Sequence, residues 1–431
     1  MPGPLAGIRV LEVTQIIAGP FCGQTLADLG ADVVKIEPPG GEAGRALGAF
    51  MPGESKTFHS LNRGKHSLVL NLQDPAAQAV VHRIISFYDV FIMNARPGVP
   101  DRLKVDYDTL RRFRPDLIWV ENSGYGTTGP SATRSGSDVV AQAFSGLMAG
   151  DGKVDEFGAP LAITATAPSD YTAALASAMG VCAALFHRER TGEGQKVSTT
   201  LLGSALALQG AIVSRLPAYD AIVRDPAMER VNEVRARNGS FEEILDARGN
   251  IMKMLGAAFR LYYGGYRVKD GAIILGALTP ANREQMRRVI GISGEDPTAD
   301  PNFNAYGAES EAQAEAVAER IRSIMLTKTM DEWIAAFDAE GAPASQVNLP
   351  EEMADDPQVQ ALGVMVALDH ELTGPELMVG SIVEMSATPT GTMRAAPPLD
   401  AHTDELLREH GFTASEIEAL RASGGVGQPA G

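Results

Sequence analysis

Residues Leu5 to Gly41 read as strand, tight turn, helix, strand and open loop, with no phosphate-loop pattern among them, and this opening decides the class of fold. Ile8, Val10 and Val13 form a short apolar strand run, Ala18-Gly19-Pro20 breaks it, and Phe21 to Leu29 carry apolar residues at helical spacing. Gly30 ends that helix. Val33, Val34 and Ile36 make a second buried strand, which stops in Glu37-Pro38-Pro39-Gly40-Gly41. A βαβ unit implies a parallel sheet, so the chain opens with an α/β domain.

The pattern recurs downstream. Ser67 to Leu72 alternates as a strand, Ala76 to Phe87 is helical, and Val90-Phe91-Ile92 and Leu117 to Val120 are further buried strands, the latter running into Ser123-Gly124-Tyr125-Gly126. Asp138 to Met148 and the alanine-rich Tyr171 to Glu189 are helical, and Gln195 to Thr199 starts a strand. Residues 217–256 alternate charges and read as linker and solvated helix. A strand over Gly271 to Leu278 with helices over Asn282 to Ile290 and Glu311 to Leu326 suggests a smaller α+β domain. Helices over Met330 to Phe337 and Glu351 to Leu362, a strand over Val379 to Val383, a helix over Asp404 to Gly411 and a frayed glycine-rich tail after Ala422 complete the chain. The expected division is 1–215, a linker and small domain over 216–330, and a return to the large domain over 331–431.

A chain of 431 residues exceeds what one compact core usually holds, which also favours two domains. The formal net charge of −17 opposes nucleic-acid or anionic-membrane binding, because a phosphate backbone needs a basic surface. Cys22 and Cys182 sit in apolar helical surroundings and read as small buried residues, which fits a reducing cytoplasm. With no secretory pattern at the amino terminus and no uninterrupted apolar run of about 18 residues, the expectation is a soluble cytoplasmic protein without membrane partners. His66, His187 and His402 are scattered and no H-x-E or C-x-x-C spacing occurs, so no metal is expected.

Gly124-Tyr125-Gly126-Thr127-Thr128-Gly129 formally matches G-x-G-x-x-G, but Pro130 and a polar run follow it where a dinucleotide site needs an apolar helix. By composition alone Asp170, in Pro168-Ser169-Asp170-Tyr171, is a helix N-cap rather than a catalyst.

The stretches LAGIRVLEVTQIIAGPFCGQTLADLGADVVKIEPPGG and PSDYTAALASAMGVCAALFHRERTGEGQKVSTTLL, with the Gly124–Pro130 loop, resemble the family III CoA transferases, a group that includes formyl-CoA:oxalate transferases, carnitine CoA transferases and α-methylacyl-CoA racemases. The resemblance covers residues 1 to about 205 strongly, 345 to 425 moderately, and the middle weakly. It implies a Rossmann-like large domain made from both chain ends, an inserted small domain, and two interlocked subunits. It makes Asp170 a covalent nucleophile, kept ionised by the helix start, that carries acyl-CoA exchange through an aspartyl anhydride and an aspartyl-CoA thioester. CoA is then a substrate and no permanently bound cofactor is implied.

Carried over position by position, the family's CoA contacts fall at Ile16, Ile17 and Ala18 in the turn facing the thioester, and at Lys35, Glu37 and Pro38 beside the adenine. They continue at Asn62 and Lys65, at Asn94, Arg96 and Arg102, and at Gly124 and Tyr125. Two alternatives stand beside the transferase. Racemases place a histidine where this chain has Ser137 in Gly136-Ser137-Asp138, and serine does not exchange protons unaided near neutral pH. A non-catalytic CoA-binding subunit of a heteromer has no need of Asp170. The chain departs from the family around residues 256–271, where Gly264-Gly265 suggests a mobile lid. It departs again at Asp400, which stands where glycine is usual before the structural His402.

Overall fold

The computed structural model describes residues 2–249, 257–304 and 308–427. Its centre is a six-stranded sheet: β1 (Arg9–Val13), β2 (Asp32–Glu37), β3 (Lys65–Val69), β4 (Val90–Met93), β5 (Ile118–Ser123) and β6 (Lys196–Thr200) lie in the order β3-β2-β1-β4-β5-β6. Every pairing is parallel. Connections run outward from β1 in one direction and then restart on its other side at β4, which is the order of a doubly wound sheet.

Alternation along the strands divides the core. Leu11, Val34, Leu68, Phe91 and Trp119 point to one face, against the helix Pro75–Ile84 and Leu406, Leu407 and Ile417 from the carboxy-terminal helices. Val10, Val33, Ile92, Ile118 and Val120 point to the other, against α1 (Ala18–Asp28) and the long helix that carries Ala174, Ala178 and Val181. Helix α1 begins at Ala18, not after Pro20 as the turn residues suggest, because proline in a first helical turn replaces an N–H that would have no partner. The remaining helices of this unit used below are α2 (Asp138–Ser145), α3 (Pro168–Thr191) and α4 (Leu201–Leu208). Among the described residues α3 is the one helix long and apolar enough to cross a membrane, and here it lies on the sheet.

By its internal contacts the first unit comprises residues 1–153, 160–215 and 357–431, and the second 154–159 and 216–356. In the second unit β7 (Tyr263–Arg267), β8 (Ala272–Gly276) and β9 (Ala344–Gln346) form an antiparallel sheet. It is covered by α5 (Pro280–Ile290), α6 (Ala308–Met325) and α7 (Met330–Glu340) around Ile273, Met286, Ile321, Trp333 and Phe337. This unit runs past the expected boundary at 330, because α7 and β9 complete its core. Gly264 and Gly265 are paired residues of β7 and not a hinge. Gly256, at the start of the departure from the family, lies outside the described residues.

The expected strand over Val379 to Val383 is displaced: β10 (Met365–His370) and β11 (Gly374–Val379) form a hairpin just before it. The tail is not frayed as far as Gly427, since Val426 is buried and bridges Leu70.

Candidate active site

At the carboxyl ends of β1, β2 and β4, where the strand order reverses, a cleft opens between Thr14, Gln15, Pro38, Glu42, Asn94 and Ala95. Such a switch point is where doubly wound sheets bind ligands. The turn from β1 into α1 forms one wall. Ile16 has φ +63°, a left-handed conformation that costs a β-branched residue on the order of 1–3 kcal/mol. Its neighbours hold it there. Gln15 donates its N–H to Asn94 Oδ1 at 3.0 Å, the Asn94 amide donates back to the Gln15 carbonyl at 2.9 Å, and Ile16 N–H donates to Glu42 Oε2 at 3.0 Å.

The residues expected to contact ligand separate into two groups. Pro38, Arg96 and Arg102 are exposed, and neither arginine has an ion-pair partner among the described residues. Ile16 is exposed at the turn, with Ile17 and Ala18 starting α1. The side chains of Lys35, Glu37, Asn62 and Lys65, in contrast, are closed off from solvent, and the expectation that they touch ligand directly is corrected. Glu37 accepts both arms of the buried Arg45, at 2.7 and 2.9 Å. Asn62 accepts from Lys65, and both lysines face Glu12 on β1. A buried charge is tolerated only with such partners, so these four side chains are committed to the protein's own groups.

Asp170 is the third residue of α3, and its side chain does not cap the helix. That role falls to Asp138 of α2, a residue the sequence reading passed over: its Oδ1 accepts from the Ser169 N–H at 2.7 Å and, more weakly, the Asp170 N–H at 3.4 Å. Gln142, one turn further along α2, donates to the other Asp138 oxygen at 2.6 Å and is itself fixed by the backbone of Ile163. The Asp170 carboxyl is pushed up to about 7, first by burial and then by the negative charge of Asp138. These effects outweigh the helix start that was expected to keep it ionised. Three alanines and a leucine, Ala18, Ala141, Ala173 and Leu201, bring α1, α2, α3 and α4 together.

The glycine loop also reaches this site. A Cβ on Gly124 would stand 2.8 Å from the Gly136 Cα, so two strands of backbone cross where only glycine fits, two residues before Asp138. Tyr125 packs edge-on against Phe144 of α2, and the Arg134 guanidinium lies 5.6 Å from both rings. Removing the charge of Asp138 in Asp138→Asn is expected to lower the Asp170 pKa, so the acid limb of the pH–rate profile moves to lower pH. An unmoved limb in a steady-state pH series counts against this coupling.

Other titratable groups meet far from where sequence spacing suggested. His66 and His402 stack edge-on at 4.7 Å. Glu54, His59 and His370 bring ligand-type atoms within 4.8 Å of one another. Both nitrogens of His59 are already 2.8 Å from a carboxylate, Glu54 on one side and Glu376 of β11 on the other. His370 Nδ1 accepts N–H groups of Leu372 and Thr373, so its neutral ring carries the proton on Nε2 and has no lone pair to give there. The cluster is therefore an ion-paired staple that fastens the β10–β11 hairpin to the helix Lys56–Asn62.

Burial alone would lower the His59 pKa, but the two carboxylates outweigh it and hold it above the usual histidine range. The staple's contribution is full below about pH 6.5, the unfolded value, and fades as pH rises through the higher folded value. The protection of amides 365–379, relative to their intrinsic base-catalysed exchange rate, is expected to fall over that rise, and not in Glu376→Gln, where it starts low.

The family profile described as CoA-transferase family III matches residues 5–403. The chain belongs to CoA-transferase family III. Among similar members, a succinate–glutarate CoA-transferase of Agrobacterium fabrum is 33% identical, over 94% of this chain and 95% of its own. The beta subunit of a succinyl-CoA–L-malate CoA-transferase of Chloroflexus aurantiacus is 32% identical over 97% of each chain. Of solved structures, a CAIB/BAIF family protein from Brucella suis superposes with a TM-score of 0.72 at 27% identity, over 95% of this chain and all of that one. This family III protein is thus a CoA-transferase with a parallel six-stranded α/β fold.

Proposed function

We propose that this CoA-transferase moves CoA from an acyl-CoA donor to a dicarboxylic acid, with Asp170 as the covalent nucleophile. The observation that carries this is the Asp170 carboxylate itself, which has no side-chain partner among the described residues and stands at the start of α3 beside the glycine loop. An Asp170 oxygen attacks the thioester carbonyl, the C–S bond breaks, and CoA leaves as thiolate from a mixed anhydride. The thiolate attacks the aspartyl carbonyl, releasing the donor acid and leaving an aspartyl-CoA thioester. The acceptor carboxylate displaces CoA to form a second anhydride, and CoA attacks its acyl carbon to give the new acyl-CoA and free Asp170. Thioester energy is carried through each exchange.

The choice of a dicarboxylic acid follows the substrates in the relatives' names and the exposed Arg134, a cation with no ion-pair partner among the described residues. Arg96 and Arg102 suit the CoA phosphates, and Ile16 to Ala18 with Gly124 and Tyr125 line the thioester. A racemase is disfavoured by Ser137. We place the enzyme in the cytoplasm as a homodimer with interlocked subunits, a reading supported by the exposed apolar face of α3, where Met179 and Phe186 are 71% and 64% exposed. One relative is a beta subunit, so the same face in a heteromer is the second reading; a stable dimer formed by this chain alone excludes it. Incubation with succinyl-CoA and a panel of dicarboxylic acids, with mass analysis of the Asp170 peptide, is the test. Transfer with an adduct on Asp170 is expected. An adduct elsewhere, or none during turnover, rejects the mechanism.

A further inference from the structure

We infer that Lys65, acting with Lys35 and Glu12, is a positioning residue for CoA transfer: the buried ionic cluster under the β1–α1 turn holds that turn in its reactive shape. The inference rests on the reading of the turn as the wall beside the thioester. Parallel strands buried on both faces normally carry aliphatic side chains, yet Glu12, Lys35 and Lys65, on three adjacent strands, are all 0% exposed. Apolar residues would serve stability as well or better at such places, so the use of the charges lies in what they hold.

Each ammonium grips one end of the same turn. Lys35 Nζ donates to the Thr14 carbonyl at 2.9 Å, with Thr14 Oγ1 at 3.2 Å and Glu12 Oε1 at 3.4 Å. Lys65 Nζ donates to the Pro20 carbonyl at 2.7 Å, Glu12 Oε1 at 2.8 Å and Asn62 Oδ1 at 2.9 Å. Between these anchors lie the left-handed Ile16 and the Asn94 and Glu42 contacts described above. Helix α1 is seated on the cluster through Gly23, where a Cβ would come 1.8 Å from Glu12 Oε2.

Lys65 uses three protons on three acceptors, and a neutral amine has two, so deprotonation must release one of them. Burial first, offset by Glu12, brings its pKa down to about 8. The charged and titratable groups facing it are Glu12 on β1, Lys35 on β2, Glu42 beyond β2 and Cys22 on α1.

The test compares wild type, Lys65→Met and the isosteric Glu12→Gln. In Lys65→Met, kcat is expected to fall at least tenfold with CoA affinity within threefold, and amides 14–19 to exchange at least tenfold faster while those of α3 are unchanged. In wild type the rate falls above about pH 8, and in Glu12→Gln that basic limb moves a unit or more toward acid. Wild-type kcat and turn exchange in Lys65→Met overturn the inference, as does an unmoved limb in Glu12→Gln, which decides the matter if Lys65→Met does not fold. A wild type that transfers no CoA rejects the proposed function instead, and the exchange rates of the turn still decide the role of Lys65.

Discussion

Asp170→Asn is expected to abolish CoA transfer, by at least about 10³-fold, and at the same time to raise the melting temperature at neutral pH. The first effect follows from loss of the nucleophile: an amide does not attack a thioester at a useful rate, and no adduct should appear on the α3 peptide. The second follows from linkage. A carboxyl whose folded pKa is raised from about 3.9 toward 7 destabilises the folded state progressively as pH climbs between those values. Replacing it by a neutral isostere removes that penalty, and the helix start is not weakened because Asp138 supplies the cap. Transfer that survives the substitution would reject Asp170 as nucleophile. A lower melting temperature would instead show the side chain to be a structural support.

Gly136→Ala is expected to lower both stability and activity. The added Cβ would lie 2.5 Å from the Gly124 Cα, with backbone on both sides and no flexible side chain to give way. Overpacking of this kind costs about 1–3 kcal/mol. The crossing also sets where Asp138 meets α3, and displacement of a reacting group by about an ångström can lower rates roughly 10²-fold. Gly124→Ala should behave alike. Gly210→Ala, in a short helix with nothing within 4 Å of the new atom, is the neutral control. Equal activity and melting temperature in Gly136→Ala and Gly210→Ala would mean that the loop is not held by this crossing.

The parts of this protein visible in its sequence are those that local patterning encodes. Runs such as Val33-Val34 and Val90-Phe91-Ile92 are buried on both sides, and no solvated segment looks like that. Asp400 was visible as an oddity before its cause: it sits at φ +67°, a conformation glycine adopts freely. The cap on α3 was not visible, because Asp138 lies about 30 residues from the amides it serves and an N-cap is normally sought next to its helix. Lys35 and Lys65 were read as ligand contacts and Glu12 drew no reading, since a buried ion is recognised only once its partners, 23 and 53 residues away, are known. Strands β7 and β11 were missed for their glycines and a proline, Gly264, Gly265 and Pro375, which local propensity counts against a strand that pairing nonetheless makes.

Strand β3 is an edge of the sheet, and its outward backbone is taken up by the last residues of the chain. Ser67 and Val69 donate to His402 and Thr403, the N–H groups of His402 and Gly427 donate back to Ser67 and Val69, and Asn71 donates to Gly425. During synthesis this edge must wait, for a time on the order of tens of seconds at ordinary ribosomal speed, until the residues that cover it emerge. Throughout that interval the nascent chain presents an unpaired strand, the kind of surface on which chains aggregate. This chain and one ending before His402 would thus differ less in catalytic machinery than in their dependence on chaperones, with the shorter chain a standing client rather than a passing one.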